Sequence, residues 1–570
     1  MVRAFSLTRR FGAAARRLTA LIVLALSAFA SATPVPAGEH GRRELVIGIT
    51  QFPSTFNPLI DAMLAKSYIL AMTRRPITAY DKNWKLVCLL CTRLPTIENG
   101  LAVREPLPNG KTGIAITVTL EPKARWGDGV PVTSRDVVFT WRVGRNPKSG
   151  VGNAEAFRRI RAIDVKDDKT ITLHVDRVTF DYNDLSGFDL LPAHLERAKF
   201  SDPVAYRNRT NFDTDPTNPG LYFGPYRIAK VVSGSYVVLV PNPTWYGKKP
   251  FFRRIVVRVI ENTAALEANL RSGNIDYIAG ELGLTIDQAL ALEKHSRNAF
   301  SFVYKSGLIY EHLDVNLDNP ILKDLRVRRA LILGLDRDTI TKQLFGGRQP
   351  VADSLVSPLD WVVSKDIHRY PYDPKRAAAL LDAAGWRLGR GGIRRDAKGT
   401  PLKLVLMTTA GNRSRELVEQ VLQSQWRALG IDMRIRNEPA RVFFGQTITR
   451  RKYPALAMFA WISAPESVPR TTLHSTMIPT KANNYSGQNF TGFRNAEMDR
   501  LIDRIEVELD RDKRKALWAR LQRIYTDELP VIPLYFRAEA YIMPKWLKGL
   551  EPTGHQFPST LWVENWRAEK

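Results

Sequence analysis

At 570 residues the chain far exceeds the roughly 250–300 residues at which one hydrophobic core stops growing, so two or more lobes are expected. Its 44% hydrophobic and 25% charged residues, with 12 Trp, 18 Tyr and 24 Phe, exclude a disordered, collagenous or coiled-coil chain. The 84 Lys and Arg against 57 Asp and Glu give a net charge of +27, but the basic residues recur in nearly every block of ten, which fits a solvated surface better than a patch for nucleic acid or anionic membrane.

Residues 1–17 hold Arg3, Arg9, Arg10, Arg16 and Arg17 without an acid, and Leu18 to Ala30 is apolar and ends in small residues. That pattern predicts a signal peptide over residues 1–32, cleaved after Ala32, which lowers the net charge to +22. The apolar stretch of 13 residues is shorter than the ~20 a spanning helix needs. Thr8-Arg9-Arg10-Phe11 leaves a twin-arginine route open, although Phe follows the pair one position early, and no cysteine follows for lipid attachment.

Leu86 to Leu90 reads as a buried strand carrying Cys88, which with Cys91 is predicted to form a structural disulfide or two buried thiols. Ile114, Ile116, Val118 and Leu120 alternate as a strand, and Trp126-Gly127-Asp128-Gly129 is a turn. Thr133 and Asp136 form a capping box that starts a helix through Val137, Val138 and Trp141. Ile171 to Val175 is a strand, and Tyr226 to Val240 is a hairpin parted by Ser233-Gly234-Ser235. Asp373-Pro374 opens a helix that Gly385 stops. Leu402 to Met407, a helix through Leu417, Val418, Val421, Leu422, Trp426 and Leu429, and the alternation Ile431, Met433, Ile435 make a βαβ unit. Met498, Leu501, Ile502 and Ile505 stripe a further helix. The fold class is α/β with α+β parts.

Chemical motifs are sparse. Asn109-Gly110-Lys111-Thr112 lacks the glycine that a phosphate loop needs, because Glu105 stands there, so it reads as a turn. There is no HExxH, GxSxG or EF-hand loop, the eight histidines are scattered, and the CxxC stands alone. No catalytic residue, metal site or cofactor is expected, and acidic pairs such as Asp167-Asp168 read as solvated turns.

The run from Val118 to Thr140, VTLEPKARWGDGVPVTSRDVVFT, resembles the signature of family 5 extracellular solute-binding proteins, the peptide receptors of bacterial ABC importers. Ile47 to Pro58 resembles the family's first strand and "TLNP" turn. Gly224-Pro225-Tyr226 with Pro241-Asn242-Pro243-Thr244-Trp245-Tyr246 resembles its "GPY … NPxYW" pair, and Leu325 to Arg337 its "VRxAxxxAIDR". The resemblance implies a two-lobed periplasmic binding protein fold of type II kind, with an extra subdomain on the first lobe. Lobe one is then expected in residues 41–75, 205–304 and 530–570, the extra subdomain in 76–204 and lobe two in 305–529. Ligand would close the lobes, and ABC importer permease subunits in the inner membrane would recognise the closed form. The protein is expected to be a periplasmic monomer, not an enzyme, with no nucleic acid partner.

In peptide-binding members a second-lobe Trp is followed three residues later by an Asp that pairs with the peptide's α-ammonium. The matching run here is Trp461-Ile462-Ser463-Ala464-Pro465-Glu466, with Ala464 at the Asp position. Either Glu466 substitutes, or the ligand is not a free-amine peptide. Trp461, Ser463 and Glu466 are the expected ligand contacts of the second lobe, with Arg470 for a ligand carboxylate; Phe56 and Asn57 are those of the first. A peptide or peptide-like solute is the first expectation, an oligosaccharide or other small metabolite the second, and an exported chaperone-like scaffold the third.

Overall fold

A computed structural model describes residues 42–569 apart from 61–62, 109, 152–153, 440–441 and 483–486. The expected signal peptide over 1–32 and Asn109 of the predicted turn lie outside the described residues. Strand β1 (Glu44–Ile49) buries Leu45, Ile47 and Ile49, and helix α1 (Leu64–Leu70) follows. Strands β2 (Ala102–Pro106), β3 (Thr112–Thr119), β4 (Ile160–Val165) and β5 (Thr170–Val175) make an antiparallel sheet in the order β2-β3-β5-β4.

The predicted capping box starts helix α2 (Ser134–Arg145), with the Asp136 carboxylate accepting the Thr133 N–H at 2.8 Å. The same buried carboxylate accepts the Ala193 N–H at 2.8 Å and Trp126 Nε1–H at 3.2 Å, so one residue of the signature run ties three segments together. The hairpin is β6 (Tyr226–Val232) and β7 (Tyr236–Pro241), turning through Gly234 at φ +70°. Strands β8 (Arg254–Val259), β9 (Tyr277–Ile278) and the long β10 (Phe300–Val315) follow.

Asp373 caps helix α3 (Pro374–Ala383) by accepting the Arg376 N–H at 2.9 Å. The βαβ unit consists of β11 (Lys403–Met407), α4 (Arg413–Ala428) and β12 (Asp432–Ile435), its strands parallel as predicted. Strand β13 (Leu456–Ile462), helices α5 (Ala496–Val507) and α6 (Arg511–Glu528), and strand β14 (Val531–Pro544) complete the elements used below. Ten strands form one sheet in the order β12-β11-β13-β10-β14-β9-β1-β8-β7-β6.

Two large apolar clusters lie along that sheet. The first joins Leu45, Ile47, Tyr68, Val257 and Tyr541 with Ile114, Ile116, Val118, Ile171 and Leu173, so the small sheet is packed onto the first lobe through a shared core. The second holds Leu313, Val327, Leu404, Val418, Trp426, Met458 and Ile532. These are the two lobes of the expected fold, and β10 and β14 run between them. The pairing of those strands is irregular between Ser306 and Ile309. There the Leu308 N–H leaves the ladder for the Gly554 carbonyl at 2.8 Å. A Cβ on Gly307 would lie 2.2 Å from the same carbonyl oxygen.

Beside this crossing sits a buried polar cluster. Tyr541 donates to Glu539 Oε2 at 2.9 Å, and Glu281 accepts from Ser559 N–H and Oγ–H at 2.8 Å. Burial, and next the negative Glu281, push the Glu539 carboxyl up to about 8. Burial instead lowers the His555 imidazole to about 4, with Nε2 2.9 Å from the Asp81 carbonyl.

The crossing can be tested at two residues. A carboxyl with a raised folded pKa contributes stability in full below its unfolded pKa of about 4.3 and loses that contribution as pH rises through about 8. Glu539→Gln, which still accepts from Tyr541, should therefore melt a few degrees later than the unaltered chain near pH 9 and almost together with it near pH 5; coincident melting near pH 9 would assign the titration elsewhere. Gly307→Ala should cost about 1–3 kcal/mol of unfolding free energy in urea, because its methyl group is driven into the Gly554 backbone. An unchanged midpoint would show that residues 553–558 yield freely.

Candidate functional site

A cavity of about 620 Å³ opens where the lobes face each other. Its walls are Leu64, Ser67 and Ala71 of α1 and its extension, Phe157 and Ile160, residues 184–189, the segment from Gln556 to Leu561, and Ile462 of β13. A smaller cavity of about 190 Å³ lies between Tyr80 and Phe180 on one side and Ala464, Glu466, Val468 and Glu506 on the other. Arg159, Thr179, Asp181 and Asp184 line both cavities. The lobes touch here: the Phe180 N–H donates to the Glu506 carbonyl at 2.9 Å, and the Arg514 guanidinium lies 4.6 Å over the Phe180 ring.

The predicted residues divide by where the fold places them. Trp461 stacks on Phe490 at 6.0 Å and meets Phe459 edge-on at 5.5 Å, within a cluster containing Phe443 and Met407. Successive strand residues face opposite ways, so its neighbour Ile462, 43% exposed, is the one that lines the larger cavity. Ser463 lies between Ile462 and Ala464 and lines neither cavity. Glu466 does reach the smaller cavity, but its carboxylate is held by the Arg514 guanidinium and by Trp361 Nε1–H at 3.0 Å. Its backbone sits at φ +55° with the N–H on Asp360 Oδ2 at 2.8 Å. Burial raises the Glu466 carboxyl against the opposing pull of Arg514.

The Arg470 guanidinium is engaged by Asp503 and Glu506. Phe56, 5% exposed, packs edge-on against Phe52, and fully buried Asn57 shapes its turn by accepting the Leu59 N–H at 3.0 Å. The Asn57 carbonyl also accepts from buried Lys66 Nζ at 2.9 Å. Neither Phe56 nor Asn57 lines either cavity. Cys88 and Cys91 are joined as a disulfide with Cα atoms 5.3 Å apart.

The cleft's charged residues come from elsewhere in the sequence. Asp181 and Asp184 face Ala464 across the smaller cavity; Asp184 accepts the Ser186 N–H at 3.0 Å, and burial, joined by Asp181, raises its carboxyl. Arg74 lines the larger cavity and pairs with Asp189 at 2.9 Å through Nη2. The signal available for it is a pair of arginines, Arg74-Arg75, set inside the apolar run from Ile69 to Ile77. Among the described residues no group of three or more His, Cys, Asp or Glu is placed to hold a metal ion, and no helix is long and apolar enough to cross a membrane.

Comparison with known proteins agrees with this architecture. The model of bacterial extracellular solute-binding proteins, family 5 (middle), matches residues 96–483. The oligopeptide-binding protein AppA of Bacillus subtilis is 24% identical over 511 residues, 89% of this chain and 88% of its own. An oligopeptide-binding protein of Thermus thermophilus, solved with a pentapeptide, is 28% identical with a TM-score of 0.76, covering 92% of this chain and 96% of that one. NikZ of Campylobacter jejuni, solved with Ni(L-His), shares the fold at 23% identity and a TM-score of 0.76, over 92% and 99% of the two chains. The chain belongs to the bacterial extracellular solute-binding proteins, family 5.

Proposed function

We propose that the protein is the peptide-binding receptor of an ABC importer, exported with its signal peptide removed, working in the periplasm as a monomer and passing its ligand to permease subunits in the inner membrane. The observation that carries this reading is the 620 Å³ cavity of the first lobe, with Ile462 of the second lobe in its wall, continued by the smaller cavity that Ala464, Glu466 and Val468 line; the volume suits a small solute largely buried on binding. Ligand that touches both walls binds the closed arrangement better than the open one, and the difference in affinity is what shifts the population. Such a receptor needs no catalytic group or cofactor.

The ligand's ammonium is met in this reading by Asp181 and Asp184 from the first-lobe side, across the smaller cavity from Ala464. Hydrogen bonds to a charged group contribute about 1.5–3 kcal/mol, roughly tenfold or more in affinity. The solute is identified by denaturing natively purified protein and analysing the released molecules by mass spectrometry; short peptides support the reading, and a sugar or a metal chelate replaces the peptide while keeping the receptor. A random tri- to hexapeptide library with free amines should be retained about tenfold better than its N-acetylated counterpart, and the combined Asp181→Asn and Asp184→Asn changes should erase that preference. Equal retention of both libraries by the unaltered chain would show that there is no ammonium clamp.

A further inference from the structure

From Tyr226 to Ile260 the chain carries seven basic residues and no acidic one. Within that stretch the run Lys248-Lys249-Pro250-Phe251-Phe252-Arg253-Arg254 leads into β8 on the first lobe, and its four basic residues are exposed. Phe252 is fully buried and holds the run in place: its ring meets Trp546 at 6.4 Å, and its carbonyl accepts from the Tyr226 hydroxyl at 3.0 Å. Phe251 stays half-buried, with the Arg43 guanidinium 4.3 Å over its ring and Arg43 Nη1 donating to its carbonyl at 3.0 Å. The Arg253 N–H donates in turn to the Arg43 carbonyl at 2.7 Å.

The C-terminal segment extends the same face. Lys248 Nζ donates to Asn565 Oδ1 at 3.2 Å, and two residues on, Arg567 stands opposite Lys548 in an antiparallel pair. Exposed Lys545 precedes Trp546, which is half-buried beside Phe252. The acids nearby are taken: Glu44 by Arg254 at 2.7 Å, Glu569 by Arg567 and Glu564 by Arg75 at 2.6 Å. Lys249, Arg253, Lys545 and Lys548 have no ion-pair partner among the described residues. A surface built only for solubility intersperses the two signs. Here the fold brings cations from three parts of the sequence around two half-buried aromatic rings, and none of these residues lines either cavity.

We propose that this face of the first lobe docks on the anionic phospholipid headgroups of a bilayer, which keeps the receptor beside the membrane that holds its permease and leaves the cleft free. Lipid phosphates accept the charge-assisted hydrogen bonds that the exposed Lys and Arg donors offer, and the rings of Phe251 and Trp546 supply apolar area at headgroup depth. The inference rests on the export reading. In that reading Arg43 follows the cleavage after Ala32 by eleven residues, at most about 40 Å of extended chain, so before cleavage this face is tethered close to the bilayer.

The test sediments the mature full chain with vesicles of three parts phosphatidylethanolamine to one part phosphatidylglycerol, and with neutral phosphatidylcholine vesicles. The unaltered chain should bind the anionic vesicles alone, and should release them as salt is raised from about 50 to 500 mM. A cation near an anionic surface contributes roughly fivefold in binding, so the combined Lys248→Gln, Lys249→Gln, Arg253→Gln and Lys545→Gln changes should weaken it at least about a hundredfold. The same loss of charge on the second lobe, by Lys375→Gln, Arg390→Gln, Lys398→Gln and Lys513→Gln, should leave binding within a few fold. Equal losses in the two folded variants would assign the effect to total charge and overturn the proposal. Absence of anionic vesicle binding by the unaltered chain overturns it without any variant, as does binding to duplex DNA without binding to vesicles. No ligand enters the measurement, so failure here leaves the importer reading standing, and a sugar or chelate found in the cleft leaves this surface standing.

Discussion

The arrangement depends on one long hydrogen-bonded ladder, β10 against β14, that belongs to both lobes at once. Its pairing is irregular at two places, between Ser306 and Ile309 and between Glu311 and His312. Gly307 can approach the Gly554 carbonyl only because it has no side chain, and the Leu308 N–H finds that carbonyl when it leaves the ladder. Further into the second lobe, buried Glu311 on β10 is tied to Arg415 of α4, which fixes the crossing strand to the βαβ unit. Removing one partner of such a pair leaves a buried uncompensated charge, so the tie between strand and unit is costly to break.

The cleft is therefore made by approach of the two lobes rather than by either alone. The Phe180 N–H reaches the end of α5, the Phe180 ring lies under Arg514, and Arg514 is held by Glu466. Glu466 thus acts as a clasp that keeps Arg514 placed for the first lobe's loop, and its left-handed backbone is held by Asp360. Strain of that kind persists where surrounding contacts over-determine it. The walls that complete the cavity come from residues 179–189 on one side and 462–468 on the other, and the carboxylates of Asp181 and Asp184 line the space between them.

Local features were legible in the sequence because their causes are local. The capping box at Thr133 and Asp136, the Asp373-Pro374 start and the βαβ alternation each specify backbone within a few residues, and the structure has them where expected. The motif resemblance carried the family and the two-lobed fold. What the motifs do is mostly architectural: Asp136 gathers three segments, and Gly224 and Asn242 support the backbone at Arg74. The charged wall of the cleft was not legible, since no local pattern marks Asp181, Asp184 and Asp189, and only folding brings them together with Ala464 and Arg74. Glu466 read as available for the same reason: its partners Arg514 and Trp361 are 48 and 105 residues away in sequence.

Net charge also misdirects when read as a guide to the ligand. The chain's +27 is spread along its length, whereas the cleft sets Arg74 and Arg159 against Asp181, Asp184 and Asp189. Charges on the outer surface are screened over about 8 Å at physiological ionic strength, so they act on the encounter and little on a solute already enclosed. Inside the cavity the surroundings are largely apolar, and a charged end group of the ligand is selected by the one or two partners it touches. Acidic and basic side chains stand together in the larger cavity, so the sign of the whole protein does not set the charge that a solute meets there.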